Sequence, residues 1–106
     1  MFYTYDQNNS GGYYIQNGIV DIFVIVEGDT VEEIIEKAKD IFEDYSEYCP
    51  CCGERWDLDI WGETLDDEPL VYDIPAREFK DNFWKYGNVI IYYKNGMKEI
   101  IPIEKK

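Results

Sequence analysis

One stretch decides the fold of this chain: Ile19-Val20-Asp21-Ile22-Phe23-Val24-Ile25-Val26. It is almost wholly apolar, which predicts the central strand of a β-sheet. Asn17-Gly18 precedes it, and a second β-rich run, Tyr13 to Gln16, lies before this dipeptide. An Asn-Gly pair between two such runs is a strong hairpin signal, because a type I′ turn needs positive φ at both positions. The sequence therefore predicts a first hairpin here.

A helix is predicted directly after this strand. Thr30 and Glu33 have the spacing of a capping box. The residues that recur at helical spacing along one apolar stripe are Val31, Ile34, Ile35, Ala38, Ile41, Phe42 and Tyr45. The opposite face is mostly charged, so we expect the stripe to pack on the sheet and the charged face to be solvated.

The C-terminal part predicts a second hairpin, because Asn95-Gly96 lies between two further β-rich runs. Pro102 has no amide to donate to a ladder, which places the last strand at an edge of the sheet. Residues 1–5 and 56–61 alternate as short strands, and Pro75 opens a short helix that extends to about Trp84.

These elements predict an α+β fold over residues 1–106, which is enough chain for a single domain. Its sheet would be antiparallel, built from two hairpins plus short strands. One principal amphipathic helix would cover one face.

The composition excludes several classes of function. The chain has 23 acidic and 10 basic residues and a net charge of −13, which repels nucleic acid and anionic membranes and attracts basic partners. It contains no histidine, the usual general base, so we expect no enzyme activity. The start carries no signal peptide and no apolar run is long enough to cross a membrane, which predicts a cytoplasmic protein.

All three cysteines lie at the midpoint, in the segment Cys49-Pro50-Cys51-Cys52-Gly53-Glu54-Arg55-Trp56, called the cysteine segment below. The outline Cys-Pro-x-Cys-Gly is typical of a zinc knuckle, with Cys49, Cys51 and Cys52 as the candidate ligands. Such a segment supplies half of a tetrahedral site. A carboxylate, a water or a second subunit would complete it, so zinc and a homodimer are both open. The alternative is a tight turn whose cysteines are buried as small apolar residues.

A second polar stretch lies near the N-terminus. Its amide and hydroxyl side chains, Gln7, Asn8, Asn9 and Ser10, precede two glycines and exceed what a turn requires. We predict that these four residues and Arg55 and Trp56 form a shared binding site near the cysteine segment. Substitution of Asn8 or Arg55 should then abolish partner binding and leave thermal stability nearly unchanged.

The opening Tyr3-Thr4-Tyr5-Asp6-Gln7-Asn8-Asn9-Ser10-Gly11-Gly12 and the cysteine segment together resemble a family of small bacteriophage proteins of unknown function. Members of that family share a Tyr-x-Gln-Asn-Asn-Ser-Gly-Gly start and a Cys-Pro-Cys-Cys-Gly-x-Arg-Trp segment, and the resemblance covers about the first 60 residues. It implies a phage origin and expression in the host cytoplasm. It carries no activity or catalytic residues that could be transferred.

These observations favour a small acidic interaction protein, a phage accessory factor that binds and modulates or inhibits a basic host or anti-phage defence protein. Two alternatives stay open. One is a protein that binds or sequesters a small ligand such as a nucleotide, and the other is a nucleic-acid mimic whose acids and tyrosines imitate phosphates and bases.

Overall fold

The computed structural model describes residues 1–8, 14–45, 48–49, 53–58, 65–80 and 87–105, with the backbone alone for 48–49 and 53–54. The helix α1 spans Val31–Phe42 and continues into a 3₁₀ turn at Glu43–Tyr45. The strands are β1 Phe2–Asp6, β2 Phe23–Glu27, β3 Tyr48–Cys49, β4 Gly53–Glu54, β5 Leu70–Val71, β6 Ile74–Pro75, β7 Asn88–Tyr92 and β8 Lys98–Pro102. The predicted α+β class with one principal helix is confirmed.

The main sheet has four strands in the order β1-β2-β7-β8. Strand β2 is central as predicted, and Phe23 to Val26 are buried along it. The pairs β1–β2 and β7–β8 are antiparallel, whereas β2 and β7 run parallel, with Phe23 opposite Val89. The sheet is therefore mixed. β2 and β7 run parallel because the chain returns from the end of β2 to the start of β7 through α1 and the segments that follow it.

The predicted first hairpin does not form. Tyr14 to Gln16 are not in a strand, and β2 pairs with β1 instead. The Asn17-Gly18 turn itself is present, with Gly18 at φ 83° and the Asn17 side chain accepting hydrogen bonds from two following amides. The physical reason lies in Gln7. Its side chain bonds to both the amide and the carbonyl of Ile15, which a hairpin ladder would otherwise use.

The second hairpin is confirmed. Gly96 has φ 89° in the turn, and the Tyr93 amide donates to the Met97 carbonyl at 2.8 Å. Strand β8 lies at the edge of the sheet, as Pro102 predicts.

Helix α1 covers one face of the sheet. Its buried residues Ile34, Ala38 and Phe42 pack in one cluster with Val24 and Val26 of β2. Thr30 caps the helix as expected, since its hydroxyl accepts from the Glu33 amide at 3.1 Å. The Glu33 carboxylate accepts in turn from the Asp29 amide, one residue before the cap. The predicted capping pair therefore begins the helix.

The opposite face of the sheet is covered by the β5–β6 hairpin and the turn after it. Val71, Ala76 and Phe79 pack in one cluster with Phe23 and Ile25 of β2. Because both faces of the sheet are covered, β2 has no solvent-facing side, which explains why its sequence does not alternate.

The helix predicted from Pro75 to about Trp84 is wrong in its described part. Ile74–Pro75 pair with Leu70–Val71, and residues 76–78 form a turn. The tight link at Tyr72 (φ 50°) and Asp73 (φ 65°) joins the two short strands. The end of the predicted helix lies outside the described residues.

The strand predicted over residues 56–61 is absent from its described part, 56–58, and the remainder lies outside the described residues. Among the helices that the structure describes, none is long and apolar enough to span a membrane.

Candidate functional site

Gln7 follows the end of β1 and is 6% exposed. Its Nε2 donates to the Ile15 carbonyl at 3.0 Å and to the Asp21 carbonyl at 2.8 Å. Its Oε1 accepts from the Ile15 amide at 2.6 Å and from Arg55 Nη1 at 2.8 Å. A side-chain amide offers two donors and one oxygen with two lone pairs, so the hydrogen-bonding capacity of Gln7 is filled.

Arg55 is fully buried, at 0% exposure, just after the paired strands β3 and β4. Beyond the bond from its guanidinium to Gln7, its carbonyl accepts from the Asn8 amide at 2.8 Å. The structure thus brings together three of the predicted site residues, Gln7, Asn8 and Arg55, although Arg55 is 48 positions from Gln7 in the chain. Burial changes one expectation: substitution of Arg55 should destabilise the fold, because it disrupts a buried charged hydrogen bond.

Trp56 is also buried, and its ring stacks on Phe42 of α1 with centroids 4.1 Å apart and planes 2° apart. Tyr5 packs edge-on against Phe42 on the same side of the sheet. Burial is the main reason that the pKa of Tyr5 lies above its usual value. Electrostatic interactions with Tyr3 and Asp57 raise this pKa further. Within the described part of the chain, Trp56 Nε1 and the Tyr5 hydroxyl have no hydrogen-bond partner. The stacking of Trp56 on Phe42 anchors the end of the cysteine segment to α1.

Asp21 is a further member of this network. It is 3% exposed, and its Oδ1 accepts from the amides of Ile22 (2.9 Å) and Asn88 (2.8 Å) and from Gln16 Nε2 (3.1 Å). Its Oδ2 accepts from Asn88 Nδ2 at 3.0 Å. The carboxylate links the chain before β2 to the start of β7, the two strands that pair in parallel.

The cysteine segment is described only in part. The backbones of β3 and β4 pair antiparallel, with Cys49 opposite Gly53, so the chain reverses direction between them as the motif predicts. Cys51 and Cys52 lie outside the described residues, as do Asn9 and Ser10. Among the described residues, no group of three or more histidine, cysteine or acidic side chains could hold a metal ion. Zinc binding therefore stays a prediction.

An acidic cleft lies along the outer side of β1. It encloses about 260 Å³, and its lining residues are Tyr3, Thr4, Asp6, Asp66, Leu70, Tyr72 and Asp73. Burial raises the pKa of Asp6 and of Asp66, and Asp73 and Asp67 add to the rise at Asp66.

The family comparison matches residues 1–106 with a domain of unknown function, DUF7296. The chain belongs to this family. The expected membership of an uncharacterised family is confirmed, and the match covers the whole chain. The comparisons with curated proteins and with solved structures find no match.

Sequence reasoning located part of the buried network of this family member and missed the rest. Asp21 had a visible signal, since it is the only polar residue in the apolar run from Ile19 to Val26. No comparable feature of the sequence pointed to Asn88 or Gln16. Because Gln7, Arg55 and Asp21 bond within the protein, the network is suited to holding chain segments in position. The described residues of the network include no nucleophile paired with a base.

Proposed function

We propose that this chain is a non-enzymatic interaction protein, a phage accessory factor that binds a basic protein of the host or of its anti-phage defence. One observation carries the proposal. The solvent-facing side of α1 and of the turn that follows it is acidic, with five exposed carboxylates: Glu32, Glu36, Asp40, Glu43 and Asp44.

The two lysines of this helix do little to neutralise that face. The Lys37 ammonium turns toward the sheet and donates to the Glu27 carbonyl at 2.8 Å. Lys39 forms an exposed pair with Glu36 at 3.4 Å, and pairs of this kind contribute little in water. Over residues 31–45 the chain carries six carboxylates against two lysines. A face of this charge speeds the encounter with a basic partner.

The buried network supports a second part of the proposal. Asn9 and Ser10 of the polar stretch lie in the chain between two anchored residues: Asn8, whose amide is bonded to Arg55, and Ile15, whose amide is bonded to Gln7. Arg55 itself belongs to the cysteine segment, where it precedes Trp56. Gln7 and Arg55 therefore act as positioning residues that tie the two motif-bearing segments to one point. The phage origin rests on the resemblance of these two motifs.

A pair of charge variants tests the role of α1. The first neutralises the helix face with Glu32→Gln, Glu36→Gln, Asp40→Asn and Glu43→Gln. The matched control removes the same charge from exposed positions elsewhere, with Asp67→Asn, Glu68→Gln, Glu78→Gln and Glu104→Gln. Proteins captured from host lysate are identified by mass spectrometry. The affinity of each purified partner is then measured against added salt.

We expect a basic partner whose affinity for the unchanged protein decreases as salt is added. Its affinity for the helix variant should be at least about tenfold lower than for the unchanged protein, and its affinity for the control variant should not decrease in this way. In parallel, expression of the chain in a defended host should restore plaque formation by a phage that the defence blocks. Equal binding by both variants would refute the role assigned to α1. Failure to bind any basic protein would refute the proposal as a whole.

A further inference from the structure

Within the described part of the chain, the outer edge of β8 presents backbone amides and carbonyls without a partner. Two hydrogen bonds bracket the β7–β8 ladder: the Tyr93 amide donates to Met97 and the Ile103 amide donates to Gly87. In an antiparallel pair, hydrogen-bonded positions alternate with positions whose amide and carbonyl point outward. The register therefore turns the backbone groups of every second residue away from β7, namely Lys98, Ile100 and Pro102. All three are exposed.

The two edges of the sheet differ in the described part of the chain. At β1, Phe2 and Asp66 exchange two backbone hydrogen bonds of 2.8 and 2.9 Å, so that edge is partly covered. At the β8 edge, Glu104 forms an isolated β-bridge with Lys80, but Glu104 lies beyond the end of the strand. The Lys98 side chain folds back onto its own chain and donates to the Gly18 carbonyl at 2.8 Å, which leaves the edge accessible.

We propose that a second copy of this chain pairs with β8 through the same edge, antiparallel and about a two-fold axis at Ile100. Ile100 then lies opposite its counterpart, and the two exchange a pair of backbone hydrogen bonds. Lys98 lies opposite Pro102 of the second copy on each side of the axis. The ring of Pro102 takes the place of an amide hydrogen and faces the Lys98 carbonyl, so the two strands diverge there and the hydrogen bonds between the copies centre on Ile100. The two sheets meet edge to edge at this pair.

The charge distribution favours a second copy over a basic partner at this edge. Residues 94–105 carry three lysines and two glutamates, in a chain whose net charge is −13. Glu99 is paired with Arg77 and Glu104 with Lys80. Two such edges can meet without the repulsion between acids that any contact of two α1 faces would create.

The exposed apolar side chains on the same hairpin also favour pairing with a second copy at this edge. Ile100 is 47% exposed and Met97 is 65% exposed. Pairing at the two-fold axis places the two Ile100 side chains in contact on one face of the joined sheet. The remaining negative charge of the two copies still repels at long range, so added salt should strengthen this dimer. The binding of a basic partner at α1 should weaken under the same change.

Sedimentation velocity of the full chain tests the proposal, with concentrations up to about 200 µM at low and at moderate salt. We expect a monomer–dimer equilibrium that shifts toward the dimer with concentration and with salt. Ile100→Lys places two ammonium groups opposite each other at the axis and should lower the dimer fraction at least about tenfold. Ile74→Lys is the matched control, since Ile74 is 41% exposed and lies in β6 of the other hairpin.

Hydrogen exchange followed by NMR gives a second readout that needs no variant. The Ile100 amide should exchange slowly in concentrated samples and fast in dilute ones. The Ile101 amide faces β7 and should be protected at both concentrations. A monomer at every concentration would overturn the proposal. A dimer that Ile100→Lys leaves intact, with a fast-exchanging Ile100 amide, would overturn it as well and would place the interface elsewhere.

Discussion

Replacement of Gln7 by methionine is the most informative test of the buried network. Methionine has nearly the same length and volume, so Gln7→Met removes hydrogen bonds without opening a large cavity. Three of the four bonds join Gln7 to neutral backbone groups and one joins it to the Arg55 guanidinium. A neutral bond contributes about 1 kcal/mol and a charged one about 2 kcal/mol. The expected loss in the free energy of unfolding is about 3 to 5 kcal/mol, since such terms are not strictly additive.

The measurement is urea unfolding followed by tryptophan fluorescence. With a slope of about 1 to 2 kcal/mol per molar urea, the midpoint should fall by about 1.5 to 5 M. Gln16→Met is the matched control, because Gln16 is an exposed glutamine that bonds to Asp21 in the same network. Its loss should stay below about 1 kcal/mol. If the two variants lose equal stability, the buried amide does not hold the fold together and the reasoning from burial fails.

Three further predictions concern other parts of the chain. Gly28→Ala should lower the free energy of unfolding by about 1 to 3 kcal/mol in thermal unfolding, because a Cβ at Gly28 would lie 2.8 Å from Ile34 Cγ1. The Tyr93 hydroxyl holds the pKa of Glu99 below its usual 4.5. The stability from this contact is therefore complete above that value and lost as the pH falls through the lower folded pKa, and Glu99→Gln should flatten the pH dependence of unfolding in this acidic range. Native mass spectrometry of the reduced protein should detect a bound zinc ion that a chelator or Cys49→Ser removes; bare protein in every sample would contradict the zinc hypothesis.

Local patterns predicted the elements whose stability is mostly local. The helical periodicity of α1 and the turn at Asn95-Gly96 appear in the structure where the sequence places them. The apolar run from Ile19 to Val26 supplies the central strand, although the strand itself begins only at Phe23 and ends at Glu27. The same dipeptide at Asn17-Gly18 made a turn but no hairpin. The difference is a long-range one, because Gln7 takes the backbone groups of Ile15 that a ladder would need.

In the candidate site, too, local sequence signals identified residues, whereas long-range contacts decided where those residues lie. Gln7, Asn8, Arg55 and Trp56 were singled out by residue type and motif. The structure brings the first three together, whereas Trp56 stacks on Phe42 of the helix. The burial of Gln7 and Arg55 had no local signal, since each is 48 positions from the other side chain to which it is hydrogen-bonded.

The sequence by itself determined the central strand, the capped amphipathic helix and the C-terminal hairpin, because apolar spacing, capping and turn chemistry act between near neighbours. Only the tertiary structure decided the parallel pairing of β2 with β7, the covering of the second sheet face by the β5–β6 hairpin, and the burial of Arg55. Each of these depends on groups far apart in the chain. Their desolvation is compensated only once the whole fold has formed.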